Sequence, residues 1–579
     1  MKTIRPLRTV ARAPAIVVAA LFSASAASAV AAVINIGSFG AIANDAIDDT
    51  TAINNAIAAA RAGDTIFMPA GTFNISQKIV ARNNTTLAGA GLDTTTLRFG
   101  GSASAPLLDI ENVSNVECRN FTLDGNNSTA ATQGIYAHNA STLSLHDLAV
   151  KNLAINTGFS PHAIYFDTNV VHSLIQNTTL SNIGLTSEWG AGIRLGHGSS
   201  FNRVLNNTIS NTGRGGILAD DGSTDLIIRN NTVTGSGGEG LGIELQTGCD
   251  RAIVEDNNID HWLSVDASNF CSIRRNNVSD KTGVYKYAGL ELVDAHDDLF
   301  ADNVIDSGQQ LGISISGPQP KTNCVFLRNI IKNPSTWGVQ VQGDAGGASQ
   351  LYFYKNAFSG AMRSSPATLF APQGNGIRVN GDANNVVFDS NQIQTNQGAG
   401  VQVVGSNLSN LTFKGNQITD NSLQAVTSSI TVPGMVWDAN YIKGNSPDNS
   451  LSSTKPYDAG PASIDALVET ATVGMPIQFS IGIDGDPTAL VHALWDFGDG
   501  IPATETQPVY TYFKAGVYHV TAVGWDAAGH AILGELDLNV ILAPPVDLPE
   551  PAASLAALSA AACVFARRRQ RRDRERRVP

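Results

Sequence analysis

The chain has 579 residues, of which 43% are hydrophobic and only 15% charged, with 55 glycines and a formal net charge of −13. That length can hold several domains, and a glycine-rich, charge-poor composition suits turn-rich all-β structure. A net negative body repels polyanions at long range, which argues against nucleic acid as a partner.

Residues 1–29 read as an export leader. Lys2, Arg5, Arg8 and Arg12 precede an apolar run over 15–22, and Ala27-Ser28-Ala29 offers a small-residue cleavage site. Residues 33–75 then form a distinct segment in which Phe39-Gly40-Ala41 and Asp48-Asp49-Thr50 lead to Gly63-Asp64-Thr65-Ile66-Phe67 and Ala70-Gly71-Thr72-Phe73. Asp49 or Thr50 can cap a short helix that places Ile53 and Ile57 on one face and ends at Gly63.

Residues 76–446 are organised by a repeat. An Asn, any residue, then Ile, Val or Phe recurs at Asn207, Asn231, Asn257, Asn276, Asn303, Asn329, Asn356, Asn391, Asn416 and Asn440, often followed by a Gly-Ile-x-apolar stretch. Most copies lie 24 to 27 residues apart, the length of one solenoid coil. Short alternating segments broken by Gly, Asn, Asp and Ser predict strands, each stacked in parallel on its counterpart one coil later. Ile193, Ile217, Ile243, Leu290, Ile313, Val339, Ile377 and Val401 then form one interior column. The Asn residues form another, in which side-chain amides satisfy backbone groups that no ladder reaches, so they are read as structural. Two intervals break the period, 19 residues after Asn257 and 35 after Asn356, and the longer predicts a loop around residues 360–374. Together with the 33–75 segment, whose helix would cover the open end of the first coil, this pattern resembles the pectate-lyase superfamily of right-handed parallel β-helices. That resemblance implies a protein that cleaves or modifies polysaccharides.

Cys118, Cys249, Cys271 and Cys324 fall inside the body. Cys271 and Cys324 each precede a ladder Asn by five residues but sit two coils apart, about 9.6 Å, beyond disulfide reach. Buried free thiols are expected, and no zinc spacing is present.

The repeat also predicts which residues face out. The third residue of each Gly-Ile-x-apolar strand points to solvent, so Arg194, Glu244 and Glu291 share one column, each two coils from the next. Two residues further on lie Asp167, Asp220, Gln246 and Asp266, with His197, Asp221 and Asp294 at the adjoining turn. The turns leading into these strands supply Trp189, Arg214, Glu239, His261, Trp262, Tyr285, Lys286 and Tyr287. Acids, cations and flat aromatics on one side of a solenoid suit a sugar polymer, with aromatic faces for rings and a carboxylate pair for acid and base. Asp220 and Glu244 are the expected catalytic pair, Arg194 the neutraliser of charge, and His197 or His162 a partner in proton transfer. Trp189, Arg214, Glu239, Trp262, Tyr285, Lys286, Tyr287, Asp266 and Glu291 are the expected substrate contacts. No metal ligand set is assigned and no cofactor is certain, although Asp294, Asp297 and Asp298 could hold Ca²⁺. Gly158-Phe159-Ser160-Pro161-His162-Ala163 resembles the Gly-Phe-Asp-Pro-His-Glu stretch of mannuronan C5-epimerases, with Ser160 and Ala163 replacing the two acids, so only His162 carries over. Gly196-His197-Gly198 and Asp220-Asp221 are similar to polygalacturonase motifs but occur in the opposite order.

A Ser/Pro/Asp/Gly-rich linker spans 447–461, and 462–543 is similar to a PKD domain, an immunoglobulin-like β-sandwich. The similarity rests on Leu494-Trp495-Asp496-Phe497-Gly498-Asp499-Gly500, on Pro508-Val509-Tyr510-Thr511-Tyr512 and on Ala515-Gly516-Val517-Tyr518. Trp495 and Phe497 alternate into its core, Asp499-Gly500 makes a turn, and the domain is expected to be a spacer or a protein- or glycan-binding module. In 544–579, Pro549-Glu550-Pro551 precedes an Ala/Leu-rich segment to Ala566 and an Arg-rich tail. That order resembles the PEP-CTERM sorting signal of Gram-negative bacteria. It implies processing by an exosortase-type membrane enzyme, transient membrane association, and export across the inner membrane to the cell surface or medium. The leader carries four positive charges and the tail a net six, so the body between them has a net charge of about −23. An acidic polysaccharide would then need a local basic cleft or bound cations. The sequence therefore supports an exported polysaccharide lyase or glycoside hydrolase, with a non-catalytic surface binding or matrix protein as the alternative.

Overall fold

The computed structural model describes residues 31–155, 160–185, 190–236, 241–260, 262–279, 287–306, 311–363, 373–453, 462–466, 470–483 and 489–542. The leader, the sorting motif Pro549-Glu550-Pro551 and its tail lie outside them. Among the described residues no helix is long and apolar enough to cross a membrane. The molecule is a right-handed parallel β-solenoid followed by a PKD β-sandwich.

Fourteen parallel strands, from Ile79–Val80 to Val426–Ser428, form one wall of the solenoid. Their register runs Ile164, Ile193, Ile217, Ile243, Leu263, Leu290, Ile313, Val339, Ile377 and Val401, one rung per coil. Every one of these side chains is fully buried, as the alternation predicts. The facing wall carries the Asn-x-Ile strands. Glycine precedes the wall Ile because a side chain from the facing wall reaches that point: a Cβ on Gly192 would strike Ile209, and one on Gly312 would strike Ile331. Each Asn-x-Ile isoleucine thus fills the space its glycine leaves, so the two halves of the repeat are one packing unit. A stack of Phe300, Phe326, Phe353, Phe388 and Phe413, with centroids 4.5 to 4.9 Å apart, fills the interior of the later coils.

The Asn column is a continuous amide ladder. From Asn207 to Asn440, each Nδ2 donates to the next Oδ1 at 2.9 to 3.1 Å. The same Oδ1 also accepts the preceding Asn backbone N–H, for instance Asn303 N to Asn329 Oδ1 at 3.0 Å. The residue before each rung is left-handed, with φ of 56° at Asn206 and 57° at Asp256, which breaks the strand and leaves backbone groups for the amide to satisfy.

The N-terminal helix α1 (Thr50–Ala59) buries Ile53 and Ile57 against the first coils. It stops short of Gly63. Asp64 builds the intervening turn by accepting Arg61 N–H at 2.7 Å, and Gly63 takes φ +91° within it. Asp49 stands at the N-cap position, but its carboxylate accepts from Ile42 and Asn74 and so ties the cap to its surroundings. At the other end, part of the expected linker closes the last coil: Asn449 Oδ1 accepts Val426 N–H at 3.0 Å, and Ser453 Oγ accepts Trp437 N–H at 2.8 Å. The four body cysteines are buried free thiols.

In the sandwich, Trp495 and Phe497 are fully buried, with Asp496 between them facing out. It faces the solenoid. Arg274 donates to Asp496 Oδ1 at 2.5 Å and Arg328 to Oδ2 at 3.2 Å, with Asp496 1% exposed. Around them Leu494, Val523 and Trp525 pack on Leu299, Val325, Leu327, Tyr352 and Tyr354. His492 pairs with Asp297 at 2.7 Å and Lys355 with Glu535 at 3.0 Å. The domain is therefore seated on the solenoid and is not a spacer hung from a linker.

Candidate functional site

The outer face of the fourteen-stranded wall carries the predicted column. Register places Tyr136, Tyr165, Arg194, Leu218, Glu244, Ser264, Glu291, Ser314, Gln340, Arg378 and Gln402 side by side. Arg194, Glu244 and Glu291 are each two coils apart, as expected. The polar groups divide into two clusters.

The first surrounds Asp167. Tyr136 donates to its Oδ2 at 2.7 Å, Tyr165 to Oδ1 at 3.1 Å, and His197 Nδ1 lies 2.7 Å from Oδ1. Burial opposes ionisation of Asp167, but the bonds from Tyr136, His197 and Tyr165 outweigh it and hold the carboxyl below the usual range. His197 Nε2 faces Asp221 at 3.3 Å. Arg194 lies over the Tyr165 ring at 5.1 Å and grips Asp220 Oδ2 with Nε at 2.9 Å and a terminal nitrogen at 2.6 Å. Asp220 is buried, which raises its pKa against the pull of Arg194, and its Oδ1 has no protein partner. His162 is buried beneath this cluster, where it accepts Ala191 N–H at 3.1 Å. Burial and then Arg194 push its pKa down to about 3, so it stays neutral and suits positioning better than proton transfer.

The second cluster lies further along. Arg214 holds Glu244 in a two-point pair at 3.0 and 3.3 Å. Glu291, 9% exposed, accepts from Ser264 Oγ at 2.9 Å. Burial pushes its carboxyl up to about 7, partly offset by Ser264 and reinforced by repulsion from Asp266 and Glu244. Asp266 is raised as well, by burial and then by Asp294 and Glu244. Trp262 and Tyr287 flank these acids, their ring centres 6.0 Å apart. The register slips between Leu241 and Ile243 opposite Trp262, where the 19-residue coil brings its wall strand in early.

The expected pair, Asp220 and Glu244, is thus split between the clusters, and each acid is held by an arginine. Asp220 keeps a raised pKa despite its arginine, and Glu291 and Asp266, expected only to touch substrate, are raised as well, Glu291 to about 7. Tyr136, Tyr165, Arg378 and His138, whose Nδ1 lies 3.4 Å from Asp167 Oδ2, are additions, although the rule that located Arg194 applies equally to Gly134-Ile135-Tyr136 and Gly376-Ile377-Arg378. Trp189, Glu239, His261, Tyr285 and Lys286 lie outside the described residues. Asp294, Asp297 and Asp298 are divided among separate partners: Gln319 N–H, the pair His296 and His492, and Cys271 N–H. No group of three or more metal-binding side chains occurs among the described residues.

Comparison with known proteins agrees with this architecture. Residues 33–266 match the family described as rhamnogalacturonase A/epimerase, pectate lyase-like, residues 261–445 the right handed beta helix region, and residues 465–533 the PKD domain. The chain is 26% identical over 235 residues to the mannuronan C5-epimerase AlgE3 of Azotobacter vinelandii, covering 36% of this chain and 12% of that one. It is 27% identical over 259 residues to the preneck appendage protein of Bacillus phage PZA, covering 40% of this chain and 29% of that one. The chain therefore spans well under two thirds of either relative. Among solved structures, the N-terminal fragment of bacteriophage phi29 gene product 12 covers 72% of this chain and 73% of its own at 17% identity, with a TM-score of 0.41.

Proposed function

We propose that the chain is an exported polysaccharide-cleaving enzyme in which Glu291 is the proton donor and Asp266 its basic partner. The observation that carries this reading is the Glu291 carboxyl, buried among other acids and held protonated to about pH 7. A general acid works best with its pKa near the operating pH. Glu291 would protonate the glycosidic oxygen as the bond from that oxygen to the anomeric carbon breaks. Asp266 would draw a proton from a water whose oxygen bonds the same carbon from the opposite face. The two residues occupy diagonal positions on adjacent strands of one face, roughly 8 Å apart at Cα, so both carboxyls can reach one sugar. Arg214 pairs with Glu244 beside them, and Trp262 and Tyr287 offer ring faces to sugars. The similarity to a mannuronan epimerase supports a carbohydrate ligand.

Incubation with a panel of neutral and acidic polysaccharides tests this, read for new reducing ends and for ultraviolet-absorbing unsaturated products. Reducing ends without absorbance, abolished in Glu291→Gln, are expected. Unsaturated products would replace hydrolysis by a lyase reaction. A second reading, binding without turnover, is favoured by the two-point arginine clamps on Asp220 and Glu244. Retained binding with no product on any glycan would establish it.

We also propose export through residues 1–29 and processing at Pro549-Glu550-Pro551 by an exosortase-type enzyme, with transient membrane association of the apolar segment that follows. The order of motif, apolar segment and arginine cluster supports this. Glu550→Ala should leave the chain in the membrane fraction, and unchanged release would refute it.

A further inference from the structure

We infer that Arg378 marks a second subsite on the same face, one that receives the anionic group of an acidic sugar three coils from Glu291. The inference rests on the polysaccharide reading and adds the charge class of the polymer. Arg194 and Arg214 are each consumed by a carboxylate. Arg378 is the exception among the described cations of this column. Its guanidinium lies over the Trp337 ring at 4.5 Å, and its Nε is buried with no hydrogen-bond partner. The only influence on its ionisation is burial, which opposes the charge; no neighbouring acid supports it.

A second observation lies next to it in register. Gln340 is 1% exposed, and its Nε2 donates to Gln342 Oε1 at 2.5 Å, while Gln342 donates to Asp344 at 2.6 Å. That relay fixes the Gln340 amide, and its Oε1 is left buried without a partner. A buried donor and a buried acceptor, both unsatisfied and one rung apart, are costly for a protein to keep for itself. An acidic sugar supplies both missing groups, an anion for the guanidinium and a hydroxyl for the Gln340 oxygen. On the other side Gln402 accepts from Asn375 at 3.1 Å, which closes the row with a polar edge. Trp337 holds the guanidinium plane, as bidentate recognition of a carboxylate or sulfate ester requires. From Glu291 through Ser314 and Gln340 to Arg378 is three rungs, roughly 14 Å. A polymer lying along the wall would reach both sites at once.

The test is a binding titration in the full chain carrying Glu291→Gln, so that no turnover intervenes. The ligands are galacturonate and mannuronate hexasaccharides, their carboxyl-reduced neutral counterparts, and a sulfated galactose hexasaccharide. At least one anionic form should bind about tenfold or more tightly than its neutral counterpart. Adding Arg378→Gln should abolish that preference without weakening the neutral ligand, and Arg378→Lys should retain part of it. A preference confined to the sulfated ligand would support the subsite and name its anion as a sulfate ester. Equal binding of charged and neutral forms, or a preference that survives Arg378→Gln, would overturn it. If Arg378→Gln lowers the melting temperature, the comparison of Arg378→Lys with the unsubstituted chain decides instead. Because the readout is binding, a failure of Glu291 as proton donor leaves this result standing, and a failure here leaves that assignment standing.

Discussion

Two outer faces of the same coils both bury charge and both pair some of it with arginine, but only one leaves part of it unpaired. On the face covered by the PKD domain, the buried acids Asp496 and Glu255 are each paired within the chain: Arg274 and Arg328 meet on Asp496, and Glu255 is held between Arg229 and Arg275. On the exposed wall, Glu291 and Asp266 crowd other acids, and Arg378 has only an aromatic ring. Buried ion pairs that are complete hold an interface in one arrangement; buried charges left incomplete destabilise the free protein and suit a site completed by something else. The contrast separates architecture from chemistry on a scaffold whose coils are otherwise alike.

The largest expected effect lies on the open wall. Glu291→Gln should lower turnover on the active glycan by about 10²- to 10⁴-fold, with binding little changed. A loss confined to KM would show that Glu291 only contacts substrate. On the covered face, Asp496→Ala leaves Arg274 buried without its counterion, while Arg328 keeps Asp302, and should cost about 3–5 kcal/mol in denaturant titration. An effect under about 1 kcal/mol would mean that the domain is loosely seated. Asn303→Ala removes one rung common to both faces and strands the Asn276 N–H, for about 2 kcal/mol. A further effect follows from linkage. Glu291 binds its proton more tightly when folded, so its contribution to stability is present below about pH 4.5 and is lost as pH rises to about 7. Glu291→Gln should therefore be the more stable protein at pH 8, by at most about 3 kcal/mol, and the gain should vanish at pH 4. An equal gain at both pH values would assign it to packing.

Much of the scaffold was legible because its signals are local and periodic. The Asn-x-Ile and Gly-Ile-x patterns located the interior column, the outward column and the amide ladder before any coordinate was known. Asp496 was legible only as an outward residue of its strand, since its partners lie 168 and 222 positions away. The choice between Asp220 and Glu291 as proton donor was equally hidden, because periodicity says which acids face out and nothing about which arginine reaches them. Arg194 lies 26 residues before Asp220 and Arg214 lies 30 before Glu244, so both bonds close across one coil but start from different points, a wall strand for Arg194 and the turn leading into one for Arg214. The helix end was misplaced for a similar reason: Gly63 is a good stop signal, but the Asp64 carboxylate organises the turn ahead of it.

The amide ladder keeps its geometry through coils of very different size, with rungs of 2.9 Å across the 19-residue coil and 3.0 Å across the 35-residue one. Both departures fall between an Asn-x-Ile strand and the next strand of the acid-bearing wall, at 260–261 and 360–374. The spine therefore tolerates coils of different length at the acid-bearing wall without losing alignment. The short coil coincides with the register slip that brings Trp262 beside Glu291. Such a scaffold can acquire new specificities by changing loop length alone, while the core that folds it stays the same.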